Sequence, residues 1–265
     1  MSDLDDLPQS VNVNFENGSP LVDEDFLCIH YNINSIRAEG RLDELTQICN
    51  TLKCDCLVLT ETKIDETIPS NMLVIDGYHL PLRHDRNIHG GGTIIYISDH
   101  LTYKHQTSLQ IDEFEHLWVD IKVKDRIYAV NALYRPSTQT SAQEYETFLA
   151  AADNVLTKLS NHFADTSVFL SDMNFGNCYS KSPILTPKPL DSSAPELFQS
   201  FGVSQVIDIP TRVTDNTTSL IDLIFVSCID NITWHGTLGK TADHDGIFVT
   251  FQCTQEKQKP KTRLV

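Results

Sequence analysis

Val168-Phe169-Leu170-Ser171-Asp172-Met173-Asn174 is an apolar run that ends in two polar side chains two residues apart. It follows the turn-like Asp165-Thr166-Ser167, and its three bulky apolar residues in succession predict a strand buried on both faces. Residues two apart on an extended chain share a face, so the Asp172 carboxylate and the Asn174 amide point into one cleft. That pair suits hydrolysis of a charged ester, with Asp172 taking a proton from water and Asn174 donating to oxygen that gains charge. The same spacing also serves as a plain exit from a strand, where both side chains cap their own backbone. The rest of the chain decides between the two.

Working outward, other apolar strands end in polar residues as well. Phe26-Leu27-Cys28-Ile29-His30-Tyr31 runs into Asn32-Ile33-Asn34-Ser35, and a helix follows in which Leu42, Leu45, Ile48 and Leu52 recur at three and four residues. Cys56-Leu57-Val58-Leu59 leaves through Thr60-Glu61-Thr62-Lys63, again with a carboxylate at the tip. Residues 64–87 read as loop. Gly90-Gly91-Gly92 offers backbone amides to a phosphate, but neither a helix pattern nor Lys-Ser/Thr follows, so a tight turn into Thr93-Ile94-Ile95-Tyr96-Ile97 is the expectation. Leu117 to Lys124 alternates as a half-exposed strand and turns at Lys124-Asp125-Arg126 into a strand that stops at Arg135-Pro136. Ser141 and Glu144 form a capping box for a long helix with one apolar stripe. After Asn174 comes a loop of about twenty residues, of the length at which loops tend to be functional. Pro195 to Phe201 reads as a short helix closed by Gly202, and Thr218 to Val226 as one strand with Asp222 in its middle. A buried carboxylate needs a partner, and His244, in the loop Lys240 to Gly246, can supply it. Alternating strands, hairpins and helices predict an α/β fold, a four-layered sandwich of two mixed β-sheets flanked by helices.

With 265 residues, 40% hydrophobic, and 12 Phe, 8 Tyr and 2 Trp, the chain can bury a large core and is globular rather than disordered. No stretch is long and apolar enough to span a membrane, and the acidic start Met1-Ser2-Asp3-Leu4-Asp5-Asp6 lacks a secretory pattern, so an intracellular location, nuclear or cytoplasmic, is expected. Seven cysteines without framework spacing agree with a reducing compartment, and Cys54-Asp55-Cys56 reads as the start of a strand rather than a zinc site. The charge divides the chain into residues 1–25, a flexible arm with seven acids and no base, a body over 26–253, and a basic tail over 254–265. Without both ends, 16 basic and 28 acidic residues still leave a body of net −12.

The ordered set Asn32-Ile33-Asn34, Leu59-Thr60-Glu61-Thr62, Leu133-Tyr134-Arg135-Pro136, Ser171-Asp172-Met173-Asn174, Ser219-Leu220-Ile221-Asp222 and Ala242-Asp243-His244 resembles the endonuclease/exonuclease/phosphatase superfamily over about residues 26–253. Gly91 to Ile97 and Ile209-Pro210-Thr211-Arg212 are similar to the endonuclease domains of non-LTR retrotransposons, relatives of exonuclease III and the apurinic endonucleases. Ser171 and Met173 stand where that family usually has Gly and Phe, Ala242 where it has Ser, and Ser137 where it has a second Pro or an Asn. None of these departures removes a group that does chemistry, and Ala242 puts a phosphate contact in doubt.

The resemblance implies a metal-dependent phosphodiesterase. Glu61, Asp243 and Asn34 would hold Mg²⁺, with Mn²⁺ as the alternative ion. Asp172 would activate water while Asn174, Tyr134 and Asn32 donate to phosphoryl oxygens, and Asp222 would fix the tautomer of His244. DNA is the expected partner, nicked for retrotransposition beside a reverse transcriptase module, by a protein expected to be a monomer. Arg37, Lys63, Arg135, Arg212 and Lys240 would meet the phosphates, since at a Debye length of about 8 Å they act at contact range while distant acids are screened. A phosphatase of inositol lipids or nucleotides is the first alternative, and a noncatalytic binding module the second.

Overall fold

The computed structural model describes residues 11–13, 25–139, 141–175 and 193–253. Most of the long loop after Asn174, the basic tail and most of the acidic arm lie outside these residues.

The first sheet has seven strands in the order β1 (Val11–Val13), β14 (Ile232–Lys240), β15 (Asp245–Phe251), β2 (Phe26–Asn32), β3 (Cys56–Thr60), β5 (Thr93–Ile97) and β4 (Leu82–His84). The second has six, in the order β10 (Ser204–Gln205), β13 (Asp222–Val226), β9 (Thr166–Asp172), β8 (Arg126–Tyr134), β7 (Glu115–Val123) and β6 (Thr102–His105). A two-stranded ribbon of β11 (Arg212–Val213) and β12 (Thr218–Ser219) stands apart from both. Both sheets mix parallel and antiparallel pairs: β2 and β8 run parallel to β3 and β9 respectively, and most other neighbours are antiparallel.

The unbroken apolar runs follow from burial on both faces. In the first sheet Phe26, Cys28, Cys56, Val58, Ile95 and Ile97 face the second sheet. The alternate residues Leu27, Ile29, Leu57, Leu59, Ile94 and Tyr96 pack with helix α1 (Arg41–Leu52) through Leu45, Ile48, Cys49 and Leu52. Rings join the sheets, with Tyr128 4.7 Å from Phe26 and 5.2 Å from Phe251. On the far side of the second sheet, Phe198 of helix α3 (Ser193–Ser200) stacks on Phe225 at 4.2 Å and meets Phe169 edge-on at 5.6 Å. Helix α2 (Ala142–Ser160) lies on the same side and starts with the capping box of Ser141 and Glu144. The result is the four-layered sandwich.

Three details differ from the expectations. Thr218–Val226 is not one strand: it breaks at Leu220-Ile221 into β12 and β13, because Thr211 Oγ1 accepts the amides of Ile221 (3.3 Å) and Asp222 (3.1 Å) that a ladder would otherwise take. Asp222 is therefore the first residue of β13, not its middle. Residues 64–87 contain the edge strand β4, and Val11–Val13 within the acidic arm pairs in parallel with Gly236–Leu238.

Topology gathers the polar tips. β2, β3, β8 and β9 all end at one edge of the sandwich, and β13 and β15, antiparallel to β9 and β2, begin there. Register sets Asp222 and Tyr134 on either side of Asp172.

Candidate active site

Asp172 closes β9 at 1% exposure. Its Oδ2 accepts from Asn32 Nδ2 at 2.8 Å, a bond that joins the two sheets, and its Oδ1 accepts the Asn174 amide at 3.2 Å. Asn174 is left-handed (φ 53), a conformation that Asn tolerates. Its side-chain amide donates to the Arg135 carbonyl at 2.9 Å. Burial, then the Asp222 carboxylate, push Asp172 up to about 8, against the pull of His244 and the Asn32 bond. Ser171, which departs from the family habit, donates its hydroxyl to the Leu223 carbonyl at 2.9 Å and so suits its buried place.

Asp222 and His244 pair as a buried carboxylate requires, with His244 Nδ1 2.8 Å from Asp222 Oδ2. This leaves Nε2 on the site side, 4.0 Å from Asp243 Oδ1. Burial works against the His244 proton, but Asp222, by charge and hydrogen bond, and then Asp172 and Asp243 outweigh it and raise the imidazole to about 9. Asp243 is held by Arg212, whose Nε and Nη2 lie 2.9 and 2.8 Å from Asp243 Oδ2. Burial opposes the Asp243 charge, yet Arg212 and His244 hold its carboxyl below the usual range. Among the described residues, Asp172, Asp222 and His244 form the one trio of His, Cys or carboxylate ligand atoms within 4.8 Å of one another.

A second polar group adjoins the first. Tyr134 donates to Glu61 Oε1 at 2.9 Å, and burial, followed by the charges of Glu61 and Asp172, keeps its phenol protonated. Lys63 Nζ is 3.0 Å from Glu61 Oε2 and also contacts Asn34 Oδ1. Asn34, Ser35, Glu61, Lys63 and Asn174 all have positive φ, five of the seven described non-glycine residues that do. Such strain gathers where side chains are re-aimed for a task. Gly91 and Gly92 (φ 68 and 89) turn the chain into β5, and their carbonyls accept the amides of Lys63 and Thr62. The Gly92 amide is taken by Glu115, so no phosphate cradle forms there.

The structure brings Asn32, Asp172, Asn174, Asp222 and His244 together, with Tyr134, Glu61, Asn34 and Lys63 beside them. Asp243 stands at the His244 end, bound to Arg212. Arg37 and Lys240 are exposed, and Lys240 donates to the Val213 carbonyl at 2.6 Å. Arg135, expected to meet substrate, is only 3% exposed. Its guanidinium binds the carbonyls of Met173, Asn174 and Gln139 and lies over Tyr145, Phe148 and Phe175, as a planar cation with several donors can both bond carbonyls and stack on rings. Arg135 thus fixes the backbone on which Asn174 sits.

Sequence reasoning missed four residues. Thr211 holds the start of β13. Arg86 lies over the Tyr134 ring at 5.8 Å and pairs at 2.8 Å with Glu115, which faces Tyr134 across the β7–β8 ladder. His30 shares the Asn32 face of β2, and burial drives its imidazole down to about 4. The two-residue period of β2 and β7–β8 was the signal for His30 and Glu115.

Buried carboxylates, an imidazole fixed at one nitrogen, a protonated phenol and amide donors, at the joined ends of two sheets, define a site suited to hydrolysis of a phosphate ester. Residues 29–243 match the profile of the Endonuclease/Exonuclease/phosphatase family, and the chain belongs to that family. A search of curated proteins gave no match. Among solved structures, the endonuclease domain of TRAS1, a telomere-specific non-LTR retrotransposon, superposes with TM-score 0.68 at 15% identity, covering 87% of this chain and 100% of that one. The AP endonuclease LMAP from Leishmania major gives 0.69 at 14%, covering 94% of each. The 3′ phosphatase NExo from Neisseria, bound to product DNA hairpin, gives 0.65 at 17%, covering 85% and 99%. At these identities the likeness is one of fold.

Proposed function

We propose that the protein is a Mg²⁺-dependent DNA endonuclease of the kind that opens target DNA for a non-LTR retrotransposon. The observation that carries this reading is the buried trio of Asp172, Asp222 and His244 within 4.8 Å, bridged to the first sheet by Asn32. The fit to a metal rests on Glu61 and Asn34, whose oxygens already hold a cation, the Lys63 ammonium. An all-oxygen set of this kind suits a hard divalent ion rather than a thiophilic one. When bound, the ion offsets phosphoryl charge as a Lewis acid.

The chain's own residues supply the rest. Asp172, raised to about 8, is a base poised near neutral pH, able to take a proton from water aligned by its bonds to Asn32 and Asn174. His244, raised to about 9, presents a proton on Nε2 to a phosphoryl or leaving oxygen while Asp222 holds Nδ1. The second amide hydrogens of Asn32 and Asn174 remain as donors to oxygen that gains charge, and Tyr134 joins them only when its hydroxyl turns from Glu61.

Supercoiled plasmid tests the reading. The expected result is conversion to nicked circles with Mg²⁺ and none with EDTA, with phosphoinositide and nucleotide substrates turned over at least about a hundredfold less efficiently. Faster release of phosphate from the small esters than nicking of DNA would favour a phosphatase instead.

A further inference from the structure

Glu61 and Lys63 flank the buried Thr62, and both are left-handed, with φ 54 and 53. For side chains that are neither Gly nor Asn this conformation is disfavoured. The loop is nevertheless fixed in this form: Ser35 and Ile36 donate to the carbonyls of Glu61 and Thr62 at 2.8 and 3.0 Å, and Lys63 donates its own amide to Gly91 at 2.9 Å. The consequence is that the Lys63 side chain does not extend into solvent. Its ammonium sits against Glu61 Oε2 at 3.0 Å and against Asn34 Oδ1, the two oxygens proposed above to hold a divalent ion.

An ammonium and a divalent ion compete for such a pair. Both seek oxygen donors, and two cations a few ångströms apart repel strongly where solvent is partly excluded. The Lys63 and Glu61 side chains are each 22% exposed, so the contest takes place in partial shelter from water. We propose that Lys63 is an internal counter-cation that keeps Glu61 and Asn34 assembled without metal and lowers the affinity of the site for it, so that loading requires the ammonium to leave. The inference rests on the metal reading of the site, and it makes Lys63 a residue that tunes metal affinity rather than a phosphate contact alone.

Mn²⁺ binding to the full chain without DNA, followed by the electron paramagnetic resonance of free Mn²⁺, tests it. Lys63→Met and Lys63→Asn, the second chosen because Asn accepts the left-handed backbone, should each bind Mn²⁺ about tenfold more tightly than wild type. Lys63→Arg, which keeps the charge, should stay within about twofold of wild type. Circular dichroism and thermal unfolding in EDTA identify any variant that has lost its fold, and the other neutral variant then carries the test. Unchanged or weaker binding by the folded neutral variants, beside measurable binding by wild type, overturns the role of Lys63 alone. Absence of saturable binding in wild type and both neutral variants overturns the metal reading as well.

Discussion

Asp172 and His244 respond to pH in the same direction, although one is an acid and the other a base. Burial and the Asp222 charge raise Asp172 from 3.8 to about 8, so the fold favours its protonated form, an advantage that is complete below 3.8 and lost as pH rises through about 8. His244, raised from 6.5 to about 9 chiefly by Asp222 against the cost of burial, contributes stability that is complete below 6.5 and lost as pH rises through about 9. Metal-free protein should therefore lose stability progressively from about pH 4 to about 9 in urea unfolding, Asp172 acting over the lower part of that window and His244 over the upper, and Mg²⁺ should reduce the loss because a nearby cation favours ionised Asp172. In EDTA, His244→Gln should cost on the order of 2–3 kcal/mol at pH 6 and clearly less at pH 10. A cost that does not vary with pH would show that the imidazole is not held charged in the fold. The Asp222–His244 pair was legible in the sequence because a carboxylate beside an apolar strand demands a partner. The aim of Lys63 was not, since it depends on two positive φ angles that no local pattern announces.

Arg135 shows what an element does that its own sequence does not reveal. Arg-Pro at the end of β8 reads as a strand stop beside a phosphate, and basic residues near a cleft are reasonably expected to face substrate. Two of the three carbonyls it binds lie 38 and 39 residues away on the segment after β9, and the rings it covers belong to α2 and to Phe175. Such contacts arise only when the second sheet and α2 pack. Arg135→Leu should then destabilise the protein by about 2–4 kcal/mol, the range for breaking a buried charged hydrogen-bond network. Among folded molecules the slope of log kcat/KM against log salt should be unchanged, because no phosphate contact has been lost. A slope reduced by about one, with an unaltered unfolding midpoint, would put Arg135 back at the DNA. The strands themselves were largely legible, since burial on both faces leaves unbroken apolar runs. The split between β12 and β13 was hidden because Thr211, ten residues earlier, imposes it.

For the whole molecule, the architecture matters through where it ends its strands. β9 and β13 bring Asp172 and Asp222 side by side, β15 starts one residue after His244, and β2 reaches across from the other sheet with Asn32. The net charge of −16 gave no hint of this, and beside the site Lys63 is paired with Glu61 and Arg212 with Asp243. What the sequence conveyed was the order of polar tips. The groups each tip would face could come only from register. The central claim is that these tips form one hydrolytic site, and the direct measurement is the rate of Mg²⁺-dependent plasmid nicking by purified His244→Ala beside wild type, both verified as folded. The account predicts a rate lower by about 10²- to 10⁴-fold, the usual effect of removing one preorganised proton donor. Nicking by His244→Ala at close to the wild-type rate would contradict it.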